Sequence, residues 1–135
     1  FQAEDGIRDY KVTGVQTCAL PIWVEGTLTQ DDWDVTPPGG EPYQTADLKT
    51  RKEILATFDR HVAAARAALE KVSDADIHKQ WSLLSAGQPL FTMPRLAVIR
   101  SFVLNHTIHH RAFLCLYLRL NDVPVPGMYG PSGDE

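Results

Sequence analysis

The sequence predicts an all-α protein, an incomplete four-helix bundle that lacks its first helix and most of its second. Apolar residues recur at spacings of three, four and seven through 48–72, and a second helical stripe runs from Pro94 to about Leu120. Such spacing is typical of helices packed in a bundle. Two helices cannot close a core, and four helices of about 20–25 residues need roughly 120–160 residues with their loops.

The first long helix is expected to begin near Thr45, whose hydroxyl suits an N-cap. Its charged residues lie mostly away from the apolar seam, as on a solvated face. The seam consists of Leu48, Leu55, Phe58, Val62, Ala65, Leu69 and Val72.

The segments around this helix are shorter. Trp23–Leu28 is apolar enough to be the end of a truncated helix, and the Pro- and Gly-rich 31–45 is expected to be loop. After Ser73–Asp76, the pieces 81–84 and 89–92 indicate a short hairpin or an irregular crossover, with Trp81 and Phe91 as core or lid residues.

The second long helix starts with Pro94 in its first turn. Asn121-Asp122 can form its C-terminal turn, and 128–135 is expected to be irregular. The apolar stripe takes in Ile99, Val103, His106, His110, Phe113 or Leu114, and Tyr117.

The first 22 residues do not have the sequence pattern of a native protein segment. No helical or strand period runs through them, and they lack the features of a signal peptide. Gln2–Asp9 and Val12–Ile22 match a translation of a short-read sequencing adapter, with Tyr10-Lys11 as its sample index. We therefore divide the chain into an adapter-derived segment, 1–22, and a partial bundle domain, 23–135. The alternative is a natural disordered N-terminus.

The composition is that of an ordinary protein outside the membrane. The chain has 135 residues and a net charge of −4, which disfavours a nucleic-acid binder. No apolar run is long enough to cross a membrane. Two cysteines are too few for a disulfide scaffold, so a reducing, cytoplasmic location is expected.

His106 and His110 carry the chemistry of this sequence. Residues four apart share one helix face, here the apolar stripe, and two imidazoles facing a protein interior can share one metal ion. The alternatives are two core histidines that bind no metal, or a rotated stripe that points both to solvent.

The other reactive residues are read as structural. His109 points about 100° away from His110 and is expected to be structural or at the surface. His61 and His78 are isolated, and Cys115 is expected to be a buried small apolar residue. Arg111 could bind a carboxylate near the site or form a surface salt bridge.

The stretch from Pro94 to Glu135 resembles the C-terminal part of the DinB/YfiT-like metal-binding family. Its most specific parts are His106–Arg111 and the ending YLRLNDVPVPGMYGPSGDE. Leu48–Trp81 and Trp23–Asp34 are similar to that family's third helix and to the end of its second, so the resemblance covers 23–135.

The resemblance implies a divalent metal, zinc or nickel, held by three histidines. Two match His106 and His110, and the third would precede Trp23, where adapter-derived residues stand, so weak metal binding is expected. Where the family often continues H-R-G-Q-L, this chain has Ala112-Phe113 in place of Gly-Gln.

The resemblance also implies a function for the intact protein. It would be a thiol-dependent transferase or a metal-dependent hydrolase, with a small-molecule thiol or another small substrate as partner, and it could form a homodimer. The alternative is a non-enzymatic or stress-related bundle with a structural metal, and a third possibility is a helical interaction module without metal. The residues identify no catalytic base, and no organic cofactor, nucleic acid or membrane partner is expected.

Overall fold

The computed structural model describes residues 20–44 and 46–134, and this part of the chain is mixed α/β. The all-α prediction, and the incomplete four-helix bundle with it, is therefore wrong, because the helices pack against a three-stranded mixed sheet. In chain order the elements are α1 (Ile22–Thr29), β1 (Asp32–Asp34), α2 (Arg51–Lys71), α3 (Asp74–Ile77), β2 (Gln80–Ser85), β3 (Gln88–Pro94), α4 (Arg95–Val98), a π-helical segment (Ile99–Asn105) and α5 (His106–Leu120).

The sheet combines a local and a distant pairing. Strands β2 and β3 form an antiparallel hairpin, as one of the two sequence readings anticipated, and Ala86 and Gly87 turn between them with φ of 52° and 75°. Strand β1 pairs in parallel with β2, with Trp33 opposite Leu83. The loop expected at 31–45 from its Pro and Gly residues is therefore wrong for Asp32–Asp34, since three residues are too few to show strand alternation in the sequence.

An aromatic cluster forms the core beside the sheet. Trp81 and Val98 are fully buried, which confirms Trp81 as a core residue. Trp23 from α1 lies 5.3 Å from Trp33 and 6.1 Å from Phe102, ring centroid to centroid. The rings thus join α1, the sheet and the π-helical segment. Leu83, Phe91 and Met93 complete the cluster.

Helix α2 packs through small residues, and only part of its predicted seam takes part in the contact. It begins after Thr50, where a capping box with Glu53 fixes its start five residues later than expected. Ala65 is buried with Val24 of α1, but Leu55 and Leu69 are 48% and 44% exposed. Alanine allows close approach of the helices, so the contact is a narrow strip that leaves the large apolar residues outside it.

The last long helix is present where it was predicted. Pro94 occupies its N-cap, and α4, the π-helical segment and α5 follow without a break. It is anchored by Arg95, which is 5% exposed and donates to the Gln30 carbonyl oxygen at 3.1 Å and to Asp31 Oδ1 at 2.8 Å. This anchor ties the start of the helix to the loop between α1 and β1.

Two local predictions concern the two ends of the described chain. The helical piece expected at 23–28 is confirmed as α1, and the turn at Asn121-Asp122 is confirmed, with Asp122 at φ of 53°. The segment 1–22, for which an adapter origin is predicted, lies outside the described residues except for Leu20, which is buried, Pro21 and Ile22. No described helix is long and apolar enough to cross a membrane.

Candidate metal centre

The histidine pair lies where the helix changes its winding. The π-helical segment ends at Asn105, and α5 starts at His106. A π-helical turn is wider than an α-helical turn and often occurs at functional sites, because it shifts the register of the side chains that follow. Ile99 and Val103 of this segment are buried, so the core fixes the rotation with which α5 begins.

The imidazoles of His106 and His110 converge. Their Nε2 atoms are 2.9 Å apart and their ring centroids 4.5 Å apart. In the absence of a cation, one Nε2 must donate a hydrogen to the other, since two bare nitrogens at this distance would repel. The structure thus brings the two predicted ligands together and excludes the rotated stripe that would expose both.

His110 is the buried member of the pair. It is 6% exposed, and its Nδ1 has no hydrogen-bond partner in the described part of the chain. Burial lowers the pKa of His110 from its ordinary 6.5, and the neighbouring His106 and His109 lower it further. The neutral form is therefore favoured, and it is the form that ligates metals.

The pair fits one divalent ion. Two zinc–nitrogen bonds of about 2.0–2.1 Å together exceed the 2.9 Å between the nitrogens, so one ion can reach both. Across the described residues, no group of three or more His, Cys, Asp or Glu side chains is arranged to hold a metal. The structure thus gives a two-donor site that leaves coordination positions for other ligands.

The other three histidines do not join the His106–His110 pair. His109 is exposed, as predicted, and its ring meets Phe113 edge-on at 4.7 Å. His61 lies in α2 and His78 caps α3. Neither joins the pair in a three-ligand group within the described chain.

Within 20–44 and 46–134, Arg111 contacts a tyrosine and neither of its two expected partners. It donates to the Tyr129 hydroxyl at 2.5 Å, and its guanidinium lies 5.4 Å from the centre of the Tyr129 ring. Two turns later, Arg119 pairs with Asp134 at 2.8 Å. The C-terminal segment 123–134 therefore folds back along α5 as a strap.

Sequence reasoning missed the strap because no local pattern links its residues. Asp134 also accepts from the Val125 amide at 2.9 Å, which closes the strap into a loop. Cys115, expected to be buried, is only partly covered, so that prediction is wrong in degree. The irregular conformation expected from Met128 onward is confirmed for the described residues.

No protein-family model, curated protein or solved structure matches this chain.

Proposed function

We propose that this chain is a DinB-like divalent-metal-binding protein whose ion is held by His106 and His110. The observation that carries the proposal is the 2.9 Å convergence of their Nε2 atoms on one helix face. A metal ion is one of the few species to which two imidazole nitrogens can both donate a lone pair. Zinc and nickel are the ions we favour, because imidazole suits both.

The electrostatics of the pair support this function. A buried neutral imidazole needs no proton removed before it binds a metal near pH 7, so its lowered pKa reduces the competition from protons. The same burial makes an unpaired imidazolium costly at His110. The competing interpretation is a hydrogen-bonded pair of core histidines that binds no metal, and a binding measurement separates the two.

The site is better suited to an exchangeable ligand than to a closed structural metal. Structural zinc sites have four protein donors, whereas catalytic sites keep an open position. The pair supplies two donors, so a small thiol or water could occupy a remaining position. The chemistry that a bound ion supplies is polarisation of that ligand and a lower pKa for it.

Titration of the full chain with Zn²⁺ and Ni²⁺ by calorimetry tests the proposal. We expect binding that is lost in His106→Ala and in His110→Ala and retained in His109→Ala. The His109 variant is the matched control, because it removes a neighbouring exposed imidazole from the same helix turn. Binding that survives both ligand substitutions, or no binding by the unaltered chain, would refute the proposed function.

Cobalt substitution tests the open position. With Co²⁺ bound, addition of a small monothiol is expected to produce a sulfur-to-cobalt charge-transfer band. The band should be absent in His106→Ala at the same cobalt concentration. A cobalt spectrum unchanged by thiol would favour the structural-metal alternative.

A further inference from the structure

We propose that a pocket between α1 and β1 binds a small methylated ammonium compound, with the Trp33 ring as an aromatic wall and the Glu25 carboxylate as the counter-charge. The proposal goes beyond the metal site, since the pocket shares no residue with the His106–His110 pair. The pocket volume is about 330 Å³, at the small end of the range of about 300–1,000 Å³ for ligand pockets. The lining residues are Ile22, Glu25, Gly26, Thr29, Gln30 and Trp33.

The aromatic wall is held in place by neighbouring rings. The Trp33 ring centroid lies 5.3 Å from that of Trp23 and 5.1 Å from that of Tyr43, which meets it edge-on. Trp33 is half-buried, so part of its indole remains open to the pocket. Gly26 lies beside the same indole, and a Cβ built on it would be 3.5 Å from Trp33 Cε3. The glycine therefore leaves room between the helix and the ring for one more group.

The pocket has a negative charge that the described chain does not neutralise. Glu25 is exposed, and none of the ion pairs in the described part of the chain involves it. Arg95, which donates to the Gln30 carbonyl oxygen, is itself paired with Asp31 at 2.8 Å. Helix α1 also ends here without a basic residue in its last turn, so its terminal carbonyl groups add negative potential. A cation is therefore favoured over an anion.

The composition of the lining indicates which kind of cation fits. A divalent metal ion needs several oxygen ligands, whereas Glu25 is the one carboxylate among the described lining residues. A primary ammonium is strongly hydrated and has three N–H donors to satisfy. A methylated ammonium needs a negative charge and an aromatic surface within about 6 Å, and Glu25 and Trp33 supply these.

Methylated ammonium groups occur in free small molecules and in the headgroups of choline lipids. The lipid headgroup also carries a phosphate close to the nitrogen. Among the described residues that line the pocket there is no Lys or Arg to receive that phosphate, and the Glu25 carboxylate would repel it. A free small molecule is therefore the ligand that we favour.

The experiment is titration of the full chain with choline, followed by tryptophan fluorescence. The comparison ligand is the neutral isostere in which a tert-butyl group replaces the trimethylammonium group. We expect choline to bind roughly tenfold more tightly, because the isostere keeps the shape but loses the charge. Glu25→Gln should remove this preference. Glu70→Gln is the matched control, since it makes the same change at an exposed position outside the pocket, and it should retain the preference.

Gly26→Ala tests the position of the ligand in a folded chain. The added methyl group would stand in ordinary contact with Trp33, and alanine favours a helix. The melting temperature should therefore stay unchanged or rise while choline binding weakens. Equal binding of choline and its isostere by the unaltered chain, a preference that survives Glu25→Gln or is lost in Glu70→Gln, or full binding by Gly26→Ala would each overturn the proposal.

Two further arms concern the source of the ligand and the metal site. The chain should stay in the supernatant when phosphatidylcholine vesicles are pelleted, and pelleting that choline reverses would overturn the choice of a free ligand. His106→Ala should bind choline as the unaltered chain does. Loss of choline binding in this variant would overturn the placement of the ligand, whereas loss of zinc binding alone concerns only the metal site.

Discussion

The sheet with its aromatic cluster, which we call the body, buries its large apolar residues. Helix α5 leaves most of its large apolar residues exposed. In the body, Trp81 and Val98 are fully buried among rings from three elements. In α5, which is fifteen residues long and rich in Leu, the buried residue is a histidine, His110. Apolar content therefore does not by itself predict burial. What differs is the number of described elements packed against each region.

The two regions therefore have different roles, one in stability and the other in the proposed metal binding. The body supplies the stability and fixes the rotation of the long helix through Arg95 and the π-helical segment. Helix α5 presents the histidines and is held from outside by the strap. Stability and metal binding should therefore respond to different substitutions.

The largest effect is expected for Trp81→Ala. The side chain is fully buried in the aromatic cluster, beside Trp23 of α1 and Phe91 of β3, so its loss should lower the free energy of unfolding by about 3–5 kcal/mol. Phe113→Ala, in the half-exposed stripe, is expected to cost only about 1 kcal/mol. Urea unfolding of both variants measures the difference. Equal losses would mean that α5 belongs to the same core.

The next effect is expected for Arg95→Met. Methionine keeps the buried aliphatic volume but loses the bonds to Gln30 and Asp31, so unfolding should become easier by about 1.5–3 kcal/mol. Asp31→Asn is the milder control, because the amide oxygen can still accept a hydrogen bond and Asp31 is 93% exposed. Urea midpoints rank the two variants. If the Asn variant is the more damaging, the charge pair and not the carbonyl contact holds the helix start.

A smaller effect is expected for Asp134→Ala, which opens the strap. The variant loses the Arg119 ion pair and the acceptor for the Val125 amide, both partly exposed to solvent, so it should cost about 0.5–1 kcal/mol. Hydrogen exchange should rise in α5 while the sheet amides keep their protection. Faster exchange in β2 as well would contradict the separation of the two regions.

The smallest effect is the pH dependence contributed by His110. Because its folded pKa lies below 6.5, the unfolded chain takes up the proton first as the pH falls. The stabilisation is therefore complete above pH 6.5 and is lost as the pH falls from there through the lowered folded pKa. Urea midpoints between pH 7.5 and about 5 in EDTA should fall less for His110→Gln than for the unaltered chain. Parallel curves would show that His110 is solvated.

Local patterns allowed part of this fold to be predicted. The hairpin, α1 and the start of the last helix at Pro94 follow from turn residues, spacing and capping, all of which act within a few residues. The all-α fold was wrong because Trp33 pairs with Leu83 across some fifty residues, and three strand residues leave no local pattern. Helix α2 begins after Thr50 because Thr50 and Glu53 form a capping box that satisfies its first amides; the expected N-cap, Thr45, lies outside the described residues.

By itself, the sequence determined that His106 and His110 share a helix face, since residues four apart in an α-helix always do. It also determined that His109 points elsewhere. Only the tertiary structure decided that His110 is buried, that Arg111 meets Tyr129, and that Leu55 and Leu69 of the α2 seam stay exposed. Helical spacing is fixed by the backbone, but burial depends on which distant segment arrives to cover a face, and that is a property of the whole chain's path.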